Sequence, residues 1–410
     1  MSNKAALRRV DPDILDTIHA LFPGAELRLG ASPGGRASFR LVPGIRRTHL
    51  LVPADAPVAA GKAVDRRSAK DTPRQLLIRR AVRTALRTPV VARTLMPHVL
   101  HVGPSADSLL DYLEAAVGTE LRVSMAIGSR RANRKPVLSV HSAAGEEIGY
   151  AKVGLTPLAD ALIEHEANTL SSLSAAPSPR HFKAPTVIHH GTWGSAQVLL
   201  MQSLRPRGHR SPQGVPLTAM AELASRQGVT WTVLEESAWV AAIRSDSVQC
   251  SAAGEAGFAE AVRQYERAFG SVRMPFGGWH GDLGPWNMVW EGDTPSIWDW
   301  ERAQGDVPLG IDAVHFTCHS ALRDIGNLDR ARETLEGKGT EALASLHAEL
   351  GLTDSDPRLR QAVLLGYLLS MAARFSIDAG RPDGLVVRDL ARWHVTVLMD
   401  QLARRSSSWS

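Results

Sequence analysis

Cysteine and aromatic residues are scarce in this chain. Two cysteines, Cys250 and Cys318, stand among 410 residues. That excludes a disulfide framework and a cysteine-ligated metal cluster, and it fits a reducing cytoplasm. Phe, Trp and Tyr together make up 5%, so no aromatic-interleaved basic stretch of the kind that stacks on nucleic-acid bases is present. No apolar run reaches the roughly 20 residues that a membrane-spanning helix needs, and no secretory signal opens the sequence. The glycine signatures G-x-G-x-x-G and G-x-x-x-x-G-K-[ST] are both missing. His165-Glu166 would begin a zinc-binding H-E-x-x-H helix, but position 169 is Thr169, so the second ligand is lacking.

What remains is an ordinary globular composition, 44% hydrophobic and 22% charged, long enough for two or three domains. The net charge of +5 is unevenly spread. Residues 1–110 hold 18 Lys+Arg against 8 Asp+Glu, residues 111–204 hold 8 against 8, and residues 205–410 hold 21 against 26. The basic excess therefore belongs to a leading segment, and the last half of the chain is mildly acidic.

One short stretch concentrates chemistry: His280-Gly281-Asp282-Leu283-Gly284-Pro285-Trp286-Asn287, an H-x-D-x-x-x-x-N pattern. Gly284 and Pro285 make it a loop rather than a helix. An apolar run follows and ends in Ile297-Trp298-Asp299-Trp300-Glu301. Phosphoryl transfer needs positioning and neutralised phosphate charge more than covalent help. Asp282 is the candidate to orient an attacking hydroxyl and take its proton late. Asn287 and Asp299 are the candidates to hold Mg²⁺, a hard cation that takes oxygen ligands. A His-Gly-Asp triplet alone reads as a turn; the added Asn and the strand-borne Asp make the pattern specific.

This stretch resembles the catalytic segment of the aminoglycoside phosphotransferase and choline-kinase-like family within the protein-kinase-like superfamily. Gly281 stands where protein kinases carry Arg, and Asp299-Trp300-Glu301 where they carry Asp-Phe-Gly. Gly305-Asp306-Val307-Pro308 followed by Asp312 resembles the family's G-D-P…D-L-A segment, with Ile311-Asp312-Ala313 a looser match. The resemblance implies that Asp312, with His280, supports the catalytic loop. It also implies an α+β, protein-kinase-like bilobal fold, with a small β-rich N-lobe and a large helical C-lobe. Here a small basic N-terminal α/β domain would precede it. The expected divisions are residues 1–110 as the accessory domain, 111–204 as the nucleotide-binding lobe and 205–410 as the helical lobe.

Local patterns agree with that layout. Val137 to His141 and Glu146 to Val153 alternate as strands around the Ser142–Gly145 turn. The second strand carries Lys152, matching the family lysine that holds the α- and β-phosphates. A helix from about Pro157 to Leu173 offers Glu166 as its partner, with Glu164 as the alternative. Gln197 to Leu204 reads as a buried strand leading into a hinge, which places Gln202 and Leu204 beside the adenine. A phosphate-covering loop would lie near Ala126 to Arg130, where Gly128 is the only glycine. Trp279, Trp286 and Trp300 flank the candidate catalytic residues, as pocket wall or as core. Leu217 to Ser225, Phe258 to Phe269, Arg358 to Phe375 and Arg388 to Leu402 have helical periodicity. The tail Arg404 to Ser410 is expected to lack order.

In the leading segment, Arg36 to Val42 and Thr48 to Val52 read as strands. Leu76, Leu77, Ile78, Ala81, Val82, Ala85 and Leu86 make an apolar stripe at helical spacing, with Arg79, Arg80, Arg83 and Arg87 largely off it. Thr72-Pro73 starts that helix and Pro89 stops it. A self-packed helix with solvated arginines is the plainest reading. Peripheral membrane contact through residues 72–96 is the second, and nucleic acid is disfavoured. The expected function is an ATP- or GTP-dependent, Mg²⁺-assisted phosphotransferase. Its acceptor would be a hydroxyl of a small molecule: a sugar, an amino-alcohol or an aminoglycoside-like antibiotic. The alternatives are a non-catalytic nucleotide-binding pseudokinase and a membrane-surface kinase for a cell-envelope glycan precursor.

Overall fold

The computed structural model describes residues 3–30, 35–45, 48–64, 72–126, 135–204, 214–254, 256–325, 328–352, 356–381 and 384–406. The chain is α+β and forms two compact units. The first is Met1–Ala175 with Pro185–Arg205, the second Ala176–Ala184 with Pro206–Ser410.

The first unit is organised on one nine-stranded sheet. Its strands are β1 (Leu27–Leu29), β2 (Ala37–Val42), β3 (Leu50–Pro53), β4 (Val99–Val102), β5 (Leu121–Ala126), β6 (Val137–Ser142), β7 (Glu147–Val153), β8 (Val187–Trp193) and β9 (Ala196–Gln202). The spatial order is β1-β4-β2-β3-β5-β6-β7-β9-β8, antiparallel at every pairing. The leading segment does not part from the lobe that follows it. β3 pairs with β5 through Leu50↔Ala126 and Leu51↔Met125. One core joins Ile14, Ile18, Phe39 and Leu100 to Val123, Val140 and Val198. Residue 110 lies inside the helix Leu109–Val117 rather than at a boundary. The physical reason is an edge: β5 would otherwise present unpaired backbone N–H and C=O groups, and β3 pairs with them.

The Arg-rich helix runs Pro73–Arg87, opened by a capping box between Thr72 and Gln75. Its Ala85 and Leu86 pack on Val42, Val52, Ala60 and Ala63. The helix Pro89–Leu95 follows.

The second unit is mostly helical. Its strands are β10 (Thr230–Val233), β11 (Arg273–Trp279), β12 (Met288–Glu291), β13 (Thr294–Ile297) and β14 (Gln304–Pro308). β10, β11 and β14 form one sheet in that order, and β12 and β13 form a hairpin. Helices Ala238–Ala252, Ala256–Phe269, Ile311–Ile325, Pro357–Ala379 and Arg388–Ser406 bury a core that includes Tyr265, Phe276, Val314, Tyr367 and Leu398. The last helix reaches Ser406, and the rest of the tail expected to lack order, residues 407–410, lies outside the described residues. Among the described residues one helix, Pro357–Ala379, is long and apolar enough to cross a membrane, with a mean hydropathy of 1.4. In that stretch 78% is buried inside the unit, as in a core helix.

Candidate active site

The loop from His280 to Asn287 joins β11 to β12 in the second unit. Gly281 has φ +79, and a Cβ there would lie 2.2 Å from the Arg302 carbonyl oxygen, so the middle residue of His-Gly-Asp must be glycine. The buried Asp312, in the first turn of helix Ile311–Ile325, accepts from the backbone N–H of His280 (2.6 Å) and of Gly281 (3.2 Å). Burial pushes the Asp312 carboxyl above its ordinary value, partly opposed by His280. The His280 ring is fully buried: Nδ1 lies 3.3 Å from the Asp282 N–H and Nε2 3.2 Å from the Trp298 carbonyl. One neutral tautomer, protonated on Nε2, satisfies both contacts. Burial, which lowers the ring's pKa despite the nearby carboxylates, favours that form.

These contacts aim Asp282. Its Oδ2 accepts from Asn287 Nδ2 at 2.9 Å and from Trp286 Nε1 at 3.4 Å. Its Oδ1 lies 3.3 Å from His315 Nε2, a close approach off hydrogen-bond geometry, since both His315 ring nitrogens lack a hydrogen-bond partner. Burial alone would raise the Asp282 pKa. The His315 contact, then Arg374 and His319, outweigh it and hold the carboxyl well below the ordinary range. Asp282 is therefore ionised at neutral pH.

The hairpin brings the next two candidates together. β12 and β13 pair Met288↔Ile297, and Trp298 N donates to Asn287 O at 3.0 Å. That register sets Asn287 opposite Trp298, the residue before Asp299. Asn287 Nδ2 also donates to Asp282 O at 3.0 Å. The amide nitrogen is thus committed to the loop, which leaves the side-chain oxygen as the group that could take a cation. Asp299 is half-buried and holds φ +73, a left-handed conformation uncommon for a non-glycine residue. An amide oxygen and a carboxylate are the donor chemistry that a hard divalent cation takes, so these residue types fit Mg²⁺.

In the first unit, Lys152 lies on β7 between β6 and β9, opposite Val137 and Leu199. Its Nζ donates to both oxygens of Glu166, at 2.7 and 2.5 Å. Lys152 is 6% exposed and Glu166 0%, whereas Glu164 faces solvent. The pairing expected of the helix therefore falls to Glu166. Gln202 ends β9. Its N–H goes to Thr186 O at 2.8 Å and its side-chain oxygen accepts from the Thr186 hydroxyl. Leu204 follows as half-buried coil. The expected phosphate-covering loop, apart from Ala126, lies outside the described residues.

Two further residues at this loop, His315 and Arg374, escape motif reading. His315 sits one helical turn after Asp312, on the same face, a spacing that could have flagged it. Arg374, on helix Pro357–Ala379, donates to Gly281 O at 2.7 Å. Burial and the neighbouring Arg302 lower its pKa to about 10, so it stays charged. Trp286 donates to Asp282 and lies under Arg323, whose guanidinium carbon is 4.3 Å from the ring centroid. Of the three flanking tryptophans, Trp279 and Trp300 are core and Trp286 alone is half-exposed.

No protein-family model matches the chain, and no curated protein matches it. Solved structures do. One is a thermostable variant of aminoglycoside phosphotransferase APH(4)-Ia in a ternary complex with ADP and hygromycin B, at 14% identity and TM-score 0.47, covering 72% of this chain and 98% of that one. Another is choline kinase from Cryptosporidium parvum, at 11% identity and TM-score 0.46, covering 72% and 90%. A third is a glucosamine kinase, at 14% identity and TM-score 0.36, covering 69% and 78%. Likenesses this remote transfer no substrate to the chain.

Proposed function

We propose that this chain is a protein-kinase-like phosphotransferase that moves the γ-phosphoryl group of ATP or GTP to a hydroxyl of a small molecule. The single observation that carries the reading is the Asp282 carboxylate. It is held ionised on a loop that Asp312 anchors, with Asn287 bonded to it and Asp299 following the hairpin whose other end is Asn287.

In the proposed mechanism Asp282 accepts the acceptor's hydroxyl as a hydrogen bond on Oδ1, because Oδ2 already takes two N–H donors. A carboxylate so far below its ordinary pKa is a weak base. It suits a loose transition state in which the proton leaves late. The acceptor O–H bond then breaks towards Asp282, the oxygen bonds to the γ-phosphorus, and the bond to the nucleotide's bridging oxygen breaks. Lys152, fixed by Glu166, binds the α- and β-phosphates. Asn287 and Asp299 would hold Mg²⁺, which neutralises charge on the phosphates. His315 and Arg374 act as positioning residues, the first against Oδ1 and the second on the backbone beside it.

The test is a phosphate-transfer screen over sugars, amino-alcohols and aminoglycosides with ATP and GTP in parallel, run with wild type and Asp282→Asn. Transfer to at least one acceptor, lost in the variant, supports the reading. Nucleotide that gives no Mg²⁺-dependent thermal stabilisation of the wild type, even at saturating levels, defeats it.

A further inference from the structure

The Arg-rich helix Pro73–Arg87 is amphipathic in an incomplete way. Ile78, Val82, Ala85 and Leu86 follow one face at helical spacing; Arg80, Arg83 and Arg87 lie off it and Arg79 flanks it. The carboxy-terminal half of the apolar face is buried in its own unit, Leu86 at 2% exposure. The amino-terminal turns are not: Ile78 on that face is 53% exposed, and Leu77, about 100° round the helix from it, is 67% exposed. The next helix, Pro89–Leu95, buries Ala92 and turns Val90, Val91 and Leu95 outward, two of them at 72% and 63% exposure. Of fourteen large apolar side chains exposed among the described residues, five fall between positions 77 and 95. Scattered exposed aliphatics need no explanation; a cluster on consecutive helices does.

The charge around them has one sign. Residues 72–106 contain six arginines and no Asp or Glu. Arg74, Arg80, Arg87 and Arg93 are all exposed. We propose that these two helices form a docking surface for an anionic lipid bilayer. Guanidinium groups pair with headgroup phosphates while Leu77, Ile78, Val90 and Leu95 enter the acyl boundary. The aliphatic cluster decides against nucleic acid: no Phe, Trp or Tyr occurs in residues 72–106 to stack on a base, and a phosphodiester backbone has no use for exposed leucine. The surface is preformed. The capping box fixes the start of the first helix, and Arg40 donates to the Ala92 and Met96 carbonyls at the end of the second. Docking therefore needs no folding of a disordered tail.

The experiment is vesicle sedimentation of the full chain, without nucleotide, so it stands or falls apart from the phosphotransfer reading. Vesicles are phosphatidylcholine alone, or phosphatidylcholine mixed with phosphatidylglycerol. Binding is expected to the mixed vesicles only. It should weaken as salt rises from about 0.1 M to about 1 M, which shortens the screening length from about 10 Å to about 3 Å. Two variants, R74Q/R80Q/R87Q/R93Q and L77S/V90S/L95S, should each lose more than about tenfold in affinity. Their circular dichroism and unfolding midpoints should match wild type. The proposal is overturned by equal binding to both vesicles, by no binding to either, or by variants that bind like wild type. It is also overturned if a DNA duplex binds more tightly than the mixed vesicles and the leucine-to-serine variant keeps that binding.

Discussion

His315 Nε2 lies 3.3 Å from Asp282 Oδ1, and the same histidine stacks on His319 with ring centroids 4.8 Å apart and an interplanar angle of 14°. The carboxylate is thus flanked on both oxygens, by Asn287 and Trp286 on one and by an imidazole on the other. Replacing His315 tests whether that flank matters to turnover. His315→Ala should lower kcat by roughly 10- to 100-fold while leaving the KM for nucleotide unchanged, and His315→Gln should recover part of it. Equal losses in both variants, with KM rising in step, would mean the ring merely fills space.

Asp282→Asn keeps the shape of the loop and removes the charge. Turnover should fall by about 10²- to 10⁴-fold, with nucleotide affinity kept. Isothermal titration beside a steady-state assay separates the two quantities. Near-full kcat in this variant is the outcome that removes Asp282 from its role.

Lys152 and Glu166 form a buried pair, so removing the lysine takes away the cation that faces both Glu166 oxygens. Lys152→Met alone should destabilise the first unit by about 3–5 kcal/mol, and Lys152→Met with Glu166→Leu should recover most of that. Nucleotide binding should be lost in both. Urea unfolding of the single and double variants checks the first claim. A double variant no more stable than the single one contradicts it.

Asp312 accepts two buried backbone N–H groups, and Asp312→Ala leaves both unsatisfied, at about 1–3 kcal/mol each. Asp312→Asn keeps one acceptor oxygen and should fold, with turnover reduced because the loop beneath Asp282 loosens. Hydrogen exchange at the His280 and Gly281 amides reports this directly: unchanged protection in Asp312→Asn would count against the anchoring role.

Acid should weaken the second unit through its buried histidines. Burial holds the His394 ring at about 3 against an ordinary 6.5, and burial also depresses His319, helped by His315. Between about 3 and 6.5 the unfolded chain binds protons that the folded His394 does not, so stability rises with pH across that window and falls on acidification. Above it this contribution is constant. His394→Leu should flatten the dependence in part, seen as a smaller shift of the urea midpoint between about pH 7 and pH 5. The same slope in wild type and variant would remove His394 from the account.

Local patterns in the sequence already specify much of this protein. The capping pair at Thr72 and Gln75, the alternation of β6 and β7, the helix carrying Glu166 and the packed helices after residue 357 rest on contacts a few residues apart. The order of Lys152, Glu166, Asp282, Asn287 and Asp299 is likewise linear information. The tertiary structure decided what depends on distant partners. Pairing β3 with β5 placed the leading segment in the sheet of the following lobe, because an open edge finds its complement without regard to separation along the chain. Burial chose Glu166 over Glu164. Helix packing brought His315 and Arg374 to the loop at Asp282, 33 and 92 residues beyond it by number. The i,i+3 spacing from Asp312 hints at His315, but no periodicity records Arg374, since side-chain packing across a core is set by volume and direction in space rather than by sequence spacing.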